Sequence, residues 1–217
     1  MPLPITHSSA LIIERLCMPL RKKIFITLVV GCFLLLGTQP IMADVLSDRV
    51  SNLIKSADIY AKQGNMVAAL QLYDKAISMR PGDIGIYYQR GLMLGRAGHY
   101  ARAIKDMSLV IQKDEASQRK RFPSARKYRA EGLVGLGQLQ MAAEEYKAQL
   151  GQSSGDGNGK IWFYLAETYA LMNRSDLALD AINRGLATGS HWGEKMQDLR
   201  MKIMTGQKIT PHKPFSN

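Results

Sequence analysis

The chain has 217 residues, of which 46% are hydrophobic, and a formal net charge of +11. Both cysteines, Cys17 and Cys32, precede residue 44, which excludes disulfides, thiolate metal sites and cysteine nucleophiles from the rest of the chain. The excess of positive charge favours contact with anionic surfaces or acidic proteins, but composition does not choose between them.

The N-terminal segment has the pattern of a secretory leader. Basic residues at Arg21–Lys23 precede the 13-residue apolar run Ile24–Leu36, and a Gly/Pro break separates that run from Ala43. This pattern predicts a signal peptide over residues 1–43, cleaved after Ala43, with Met18 as an alternative translation start.

Two alternatives to cleavage remain open. The apolar run is too short to cross a bilayer, unless residues 37–43 extend it into an uncleaved membrane anchor. Val29–Cys32 also resembles a lipobox, in which Cys32 would be lipidated, although Phe33–Leu36 prolongs the apolar run beyond the cysteine.

The sequence after the leader repeats itself. Ala57 and Gly91 lie 34 residues apart, and so do Ala69 and Ala103. Small residues at fixed points of such a period predict helical hairpins that stack into a solenoid, because they let two helices approach closely.

These units resemble the tetratricopeptide repeat. The first unit matches nearly all of the small, aromatic and turn positions of that pattern, at Leu53, Ala57, Tyr60, Ala69, Tyr73, Ala76 and Pro81. The resemblance implies an all-α, right-handed solenoid of about four helix-turn-helix repeats within residues 44–205. The repeats are placed at residues 50–83, 84–117, 123–156 and 159–192, with a capping helix at 191–204. The composition of residues 206–217 predicts a disordered tail.

The resemblance also implies a binding surface. In this family the first helix of each hairpin lines a concave groove that binds a peptide or a helix of another protein. The pattern turns ten residues toward that groove: Ile54, Asp58, Lys62, Tyr88, Leu92, Arg96, Lys127, Glu131, Phe163 and Glu167. Asp58 stands where family members that clamp a C-terminal carboxylate have an amide, so we do not expect a carboxylate clamp.

A cluster of basic residues between the second and third units is a second candidate surface. It contains Arg119, Lys120, Arg121, Arg126, Lys127 and Arg129. Such a cluster suits an anionic partner, but a lengthened, solvated loop has the same composition.

The sequence predicts no catalytic, metal or cofactor site. No histidine has a second ligand or a nucleophile at useful spacing, and Glu144, Glu145 and Glu167 are interpreted as charges on solvated helix surfaces. We expect a non-enzymatic scaffold or adaptor/chaperone of the bacterial cell envelope, exported to the periplasm. The expected partner is another protein rather than nucleic acid, and membrane contact is expected only through an uncleaved leader or a lipidated Cys32. The alternative is a cytoplasmic or membrane-anchored adaptor whose basic loop contacts an anionic partner.

Overall fold

All regular secondary structure in the described part of the chain is helical. A computed structural model describes residues 39–117, 120–152 and 158–215. The absence of strands from these residues confirms the predicted all-α class. The nine helices within them are α1 (Gln39–Lys62), α2 (Met66–Met79), α3 (Ile84–Arg96), α4 (Tyr100–Ser117), α5 (Ala125–Gly135), α6 (Leu139–Gln152), α7 (Asn158–Leu171), α8 (Ser175–Leu186) and α9 (Gly193–Met204).

The chain divides into two compact units, one ending at Ser51 and the other beginning at Asn52. Of the first unit only residues 39–51 are described, so most of the predicted leader, including Cys17 and Cys32, lies outside the described residues. Within the described ranges no helix combines the length and apolar character that crossing a membrane requires. The repeats and the candidate site belong to the unit that starts at Asn52.

The helices of this unit form hairpins through one recurring turn. Gly64, Gly98 and Gly137 follow α1, α3 and α5 with φ of +80°, +81° and +72°, and Asn173 follows α7 with φ of +58°. The next residue in each turn donates its N–H to the carbonyl five residues earlier, which caps the helix that has just ended. Glycine and asparagine suit this left-handed conformation best, so the sequence fixes where each hairpin bends.

Small residues lie where helices cross, as the repeat pattern predicts. Ala57, Ala69 and Ala103 have no exposed surface, and Tyr73 is 1% exposed. Tyr60, which the pattern assigns to a similar packed position, is instead 40% exposed. It belongs to the first hairpin, which has no preceding repeat in this unit to cover it.

The last helix closes the stack. Met196 and Leu199 of α9 are buried against α7 and α8, whereas Glu194, Lys195 and Asp198 are exposed. One apolar face and one polar face are what the end of a helical repeat array needs. Gly206 (φ +67°) then ends α9 with the same type of turn as the hairpins.

Candidate peptide-binding groove

The first helices of successive hairpins line a groove. We define this groove by six residues on three helices, at helical spacing on each: Leu92 and Gly95 of α3, Tyr128 and Glu131 of α5, and Tyr164 and Glu167 of α7. Residues three or four apart share one face of a helix, so each helix contributes a short stripe to a common surface.

The C-terminal tail occupies this groove. After Gly206 the chain runs back past α7 and α5 to α3, and Phe215 is only 3% exposed. This placement differs from the disordered tail that composition predicts. Pro211 and Pro214 restrict the backbone of the tail and of the residue before each proline, which reduces the entropy lost when a non-helical segment binds. The tail segment is defined here as Ile209–Phe215.

Phe215 fills an aromatic pocket. Its ring packs nearly parallel to Tyr128 (centroids 5.7 Å apart) and to Tyr100 (6.3 Å), both with an interplanar angle of 16°. Gly95 forms another wall, since a Cβ added there would overlap the Phe215 ring. Gly95 is therefore needed for space and not for backbone freedom.

Glu131 is a fully buried carboxylate at the centre of the groove. It has 0% exposure and accepts the backbone N–H of Phe215 on Oε2. Lys127, one turn earlier on α5, places Nζ 3.3 Å from Oε1 and 3.9 Å from the Tyr128 ring centroid. A buried carboxylate needs such a cation and such a donor, because its desolvation is otherwise costly.

Glu167 holds the other end of the tail segment. It is 5% exposed, accepts the backbone N–H of His212 at 3.2 Å, and lies within hydrogen-bond distance of His212 Nδ1. The carboxylate only accepts, so Nδ1 is the donor. The imidazole also stacks on Tyr164, with centroids 3.9 Å apart. Burial, followed by the nearby charges of Glu131 and Glu167, raises the pKa of the Tyr164 phenol.

The predicted groove residues separate into several groups. Asp58, Lys62, Leu92 and Arg96 line one cavity of about 400 Å³ together with Tyr73. Asp58 accepts a hydrogen bond of 2.6 Å from the Tyr73 hydroxyl, so it also joins α1 to α2.

Tyr88 and Phe163 belong to aromatic clusters. Tyr88 packs against Phe122 (4.9 Å between centroids) and Tyr128 (6.0 Å). Burial, then the proximity of Tyr128, raises the pKa of Tyr88 to about 12. Phe163 packs against Trp192 at 5.3 Å and lines a cavity of about 340 Å³ beside the tail.

The four remaining predicted groove residues differ in their surroundings. Lys127 and Glu131 lie at the middle of the groove, under Phe215, and both are buried. Ile54 is half-buried on α1. Glu167, interpreted from the sequence as both a groove residue and a solvated charge, lies in the groove but is not solvated.

The basic cluster does not form one solvated patch. Arg126 hydrogen-bonds Glu115 at 2.5 Å and Glu145 at 3.2 Å, and Arg129 also pairs with Glu145. The hydrogen bond from Arg126 lowers the pKa of Glu115. Glu145 is accordingly half-buried and not solvated as expected.

The remaining basic residues differ in their surroundings. Lys127 points into the groove, as described above, whereas Lys120 and Arg121 are exposed. Buried Asp114 anchors this loop by accepting the backbone N–H groups of Arg121 and Phe122, each at 3.0 Å. Arg119 lies outside the described residues.

Sequence reasoning missed several residues of the groove. Tyr100, Tyr128, Tyr164 and Gly95 were not assigned to it, although Tyr128 and Tyr164 lie three residues before the predicted Glu131 and Glu167. That spacing was the available signal. Among the described residues no group of three or more potential metal ligands occurs.

The described helices have the fold of a tetratricopeptide-type helical repeat solenoid. The profile of a family described as "Tetratricopeptide repeat" matches residues 50–83. Among solved structures the chain is similar to MamA AMB-1, with a TM-score of 0.53 and 21% identity over 64% of this chain and 72% of that one. It is also similar to the MamA RS-1 ArsTM double mutant, with a TM-score of 0.56 and 16% identity over 73% and 94% of the two chains. No curated protein sequence matches. At these identities the likeness establishes the fold alone.

Proposed function

We propose that this protein is a non-catalytic interaction module that binds a non-helical peptide segment of another protein in its groove. The supporting observation is the tail segment itself. It lies in the groove with two backbone N–H groups on buried carboxylates and one aromatic side chain in a pocket. A surface that accommodates one such segment has the donors, acceptors and apolar space to accommodate another.

The site of action in this proposal is the bacterial cell envelope. The pattern of residues 1–43 supports export to the periplasm, with a mature chain that begins at Asp44. N-terminal sequencing of protein recovered from the periplasm tests this. An intact leader would indicate a membrane anchor, and a lipid on Cys32 would indicate a lipoprotein.

The basic loop is the weaker candidate surface. Arg126 and Arg129 already have carboxylate partners, which reduces the charge available to an anionic ligand. We therefore base the proposed function on the groove.

Site-specific photocrosslinking in cells tests this proposal. Benzoylphenylalanine in place of Phe163 or Leu92 puts the reactive ketone in the groove. In place of Val67 (69% exposed) or Met141 (47% exposed) it lies on the second helix of a hairpin and serves as the control. We expect one protein to be captured from both groove positions and from neither control. Equal capture from all four positions, or capture from the controls alone, would contradict a groove-binding function.

A further inference from the structure

The tail segment occupies the groove in the manner of a ligand. His212 and Phe215, three residues apart, contact different repeats: His212 meets Tyr164 and Glu167, and Phe215 lies among Gly95, Tyr100 and Tyr128. The segment therefore joins α7 to α3 through its own side chains and not through regular structure.

The fit of the tail is incomplete. Phe215 has φ of +59°, a left-handed conformation that a bulky side chain rarely adopts. His212 Nε2 is buried and has no hydrogen-bond partner among the described residues. Both features weaken the tail as an occupant, because a strained backbone and an unpaired buried nitrogen each cost free energy.

The buried carboxylate of Glu167 limits which segments can replace the tail. Among the described residues, only His212 donates hydrogen bonds to Glu167, and this contact is buried. Removing the tail would expose this carboxylate to water, so a segment that buries it again must supply donors in place of the water. Any replacement must therefore bring a donor to Glu167, and an acidic side chain there would be repelled.

We propose that the tail is an intramolecular substitute for the partner, and that it closes the groove until a segment of the same chemistry displaces it. That segment has an aromatic side chain for the pocket at Gly95 and a neutral or cationic hydrogen-bond donor, such as imidazole, three residues earlier for Glu167. The inference rests on the proposed function, because it specifies which peptide the groove binds.

Tethering makes the tail a strong competitor despite its imperfect fit. A segment attached by a short linker has an effective concentration of about millimolar at its site. A peptide in solution displaces the tail only if its concentration is high enough, or its affinity for the groove is great enough, to overcome the effective concentration of the tail. Displacement therefore favours partners that fit the groove better than the tail does.

The probe is a synthetic peptide with the sequence of residues 207–217, labelled with fluorescein at its N-terminus, and fluorescence anisotropy measures its binding to the full chain. Phe215→Ala in the protein removes the aromatic anchor of the attached tail and leaves the pocket intact. We expect this variant to bind the peptide about tenfold or more tightly than wild type, because its own tail competes less well. Lys208→Ala, an exposed change in the same tail, is the matched control and leaves affinity unchanged.

A second pair of variants tests the pocket. Gly95→Ala puts a methyl group where the Phe215 ring lies, so it blocks the aromatic pocket. We expect the Gly95→Ala variant and the Gly95→Ala, Phe215→Ala double variant both to bind the peptide more weakly than the Phe215→Ala variant. Gly151→Ala is the control, since an added Cβ there meets nothing within 4 Å. The peptide with Phe215→Ala, and the peptide with His212→Glu, both fail to bind. If Phe215→Ala lowers the melting temperature too far for use, His212→Ala in the protein serves in its place, with a smaller gain in affinity.

Equal peptide affinity in wild type and Phe215→Ala would overturn the proposal, as would full binding by the Gly95→Ala, Phe215→Ala double variant. A dimer that forms with increasing concentration and is lost in Phe215→Ala would also overturn it, because the tail would then bind a second copy. Each of these results leaves the photocrosslinking test unaffected, so a failure of the tail hypothesis is distinguishable from a failure of groove binding.

Discussion

Ala103→Leu tests the packing that forms the repeats. Ala103 lies on α4 with no exposed surface, in a cluster with Leu94 and Phe215. Its carbonyl lies 3.6 Å from the position that a Cβ on Gly91 would take, so α3 and α4 approach closely at this point. Three added carbon atoms therefore meet close-packed atoms and not a cavity.

The expected loss of stability follows from overpacking. Inserting extra methylene groups into a packed core costs about 1–3 kcal/mol, since neighbouring side chains must leave their preferred rotamers. For a domain of about 150–250 residues each kcal/mol lowers the melting temperature by about 2–4 °C. We therefore expect a decrease of about 2–12 °C.

Thermal unfolding followed by far-UV circular dichroism measures this decrease. Ala101→Leu is the matched control: it makes the same change on the same helix, at an exposed position. Exposed substitutions away from special features alter stability by about 0.5 kcal/mol or less. Equal shifts for the two variants would refute the assignment of Ala103 to the hairpin interface.

Three further predictions concern other parts of the fold. Gly185→Ala puts a methyl group 2.6 Å from Met196 Sδ, so thermal unfolding should show a loss of about 1–3 kcal/mol as α9 is pushed from α8. Asp106→Ala removes the buried carboxylate that Arg90 contacts at 2.7 and 2.8 Å, and urea denaturation should show a loss of about 1–3 kcal/mol. Burial, and secondly the charge of Glu131, raises the pKa of Tyr146 well above its ordinary value. The neutral phenol therefore contributes fully to stability below about pH 10, and this contribution is lost as the pH rises further. Tyr146→Phe should therefore lose less stability than wild type between about pH 9.5 and 11 in urea titrations, and an equal loss would contradict the assignment.

The helical hairpins were predictable because local chemistry determines them. The close helix crossings are specified by Ala69 and Ala103, which lie one repeat period apart. The bends are specified by Gly64 and Gly98 in the turns. Each of these residues acts within its own hairpin, so the relevant information lies within about 34 residues of sequence.

The groove was predictable only in part. Helical periodicity places Leu92, Glu131 and Glu167 on the surface that binds the tail, because the face on which a residue lies depends only on its position along its own helix. Their burial was not predictable, because it comes from Phe215 and His212, which lie 84 and 45 residues away from Glu131 and Glu167. A Pro-containing segment without periodicity resembles a disordered tail until a complementary surface is known.

The basic cluster was misjudged for a related reason. Glu145 pairs with Arg126 and Arg129 across two helices, 19 and 16 residues away in sequence. A count of charges along the chain does not include such pairings, so it overstates the positive charge that a partner would meet.

The most direct test of groove binding is a salt titration of the affinity for the peptide that photocrosslinking identifies, with wild type and Phe163→Ala compared. If the groove binds the peptide through apolar and buried contacts, affinity should change little between about 50 and 200 mM salt, and Phe163→Ala should cost about 1–2 kcal/mol of binding with an unchanged circular dichroism spectrum. A steep fall in affinity with salt, together with normal binding by Phe163→Ala, would contradict the account and assign binding to the basic loop.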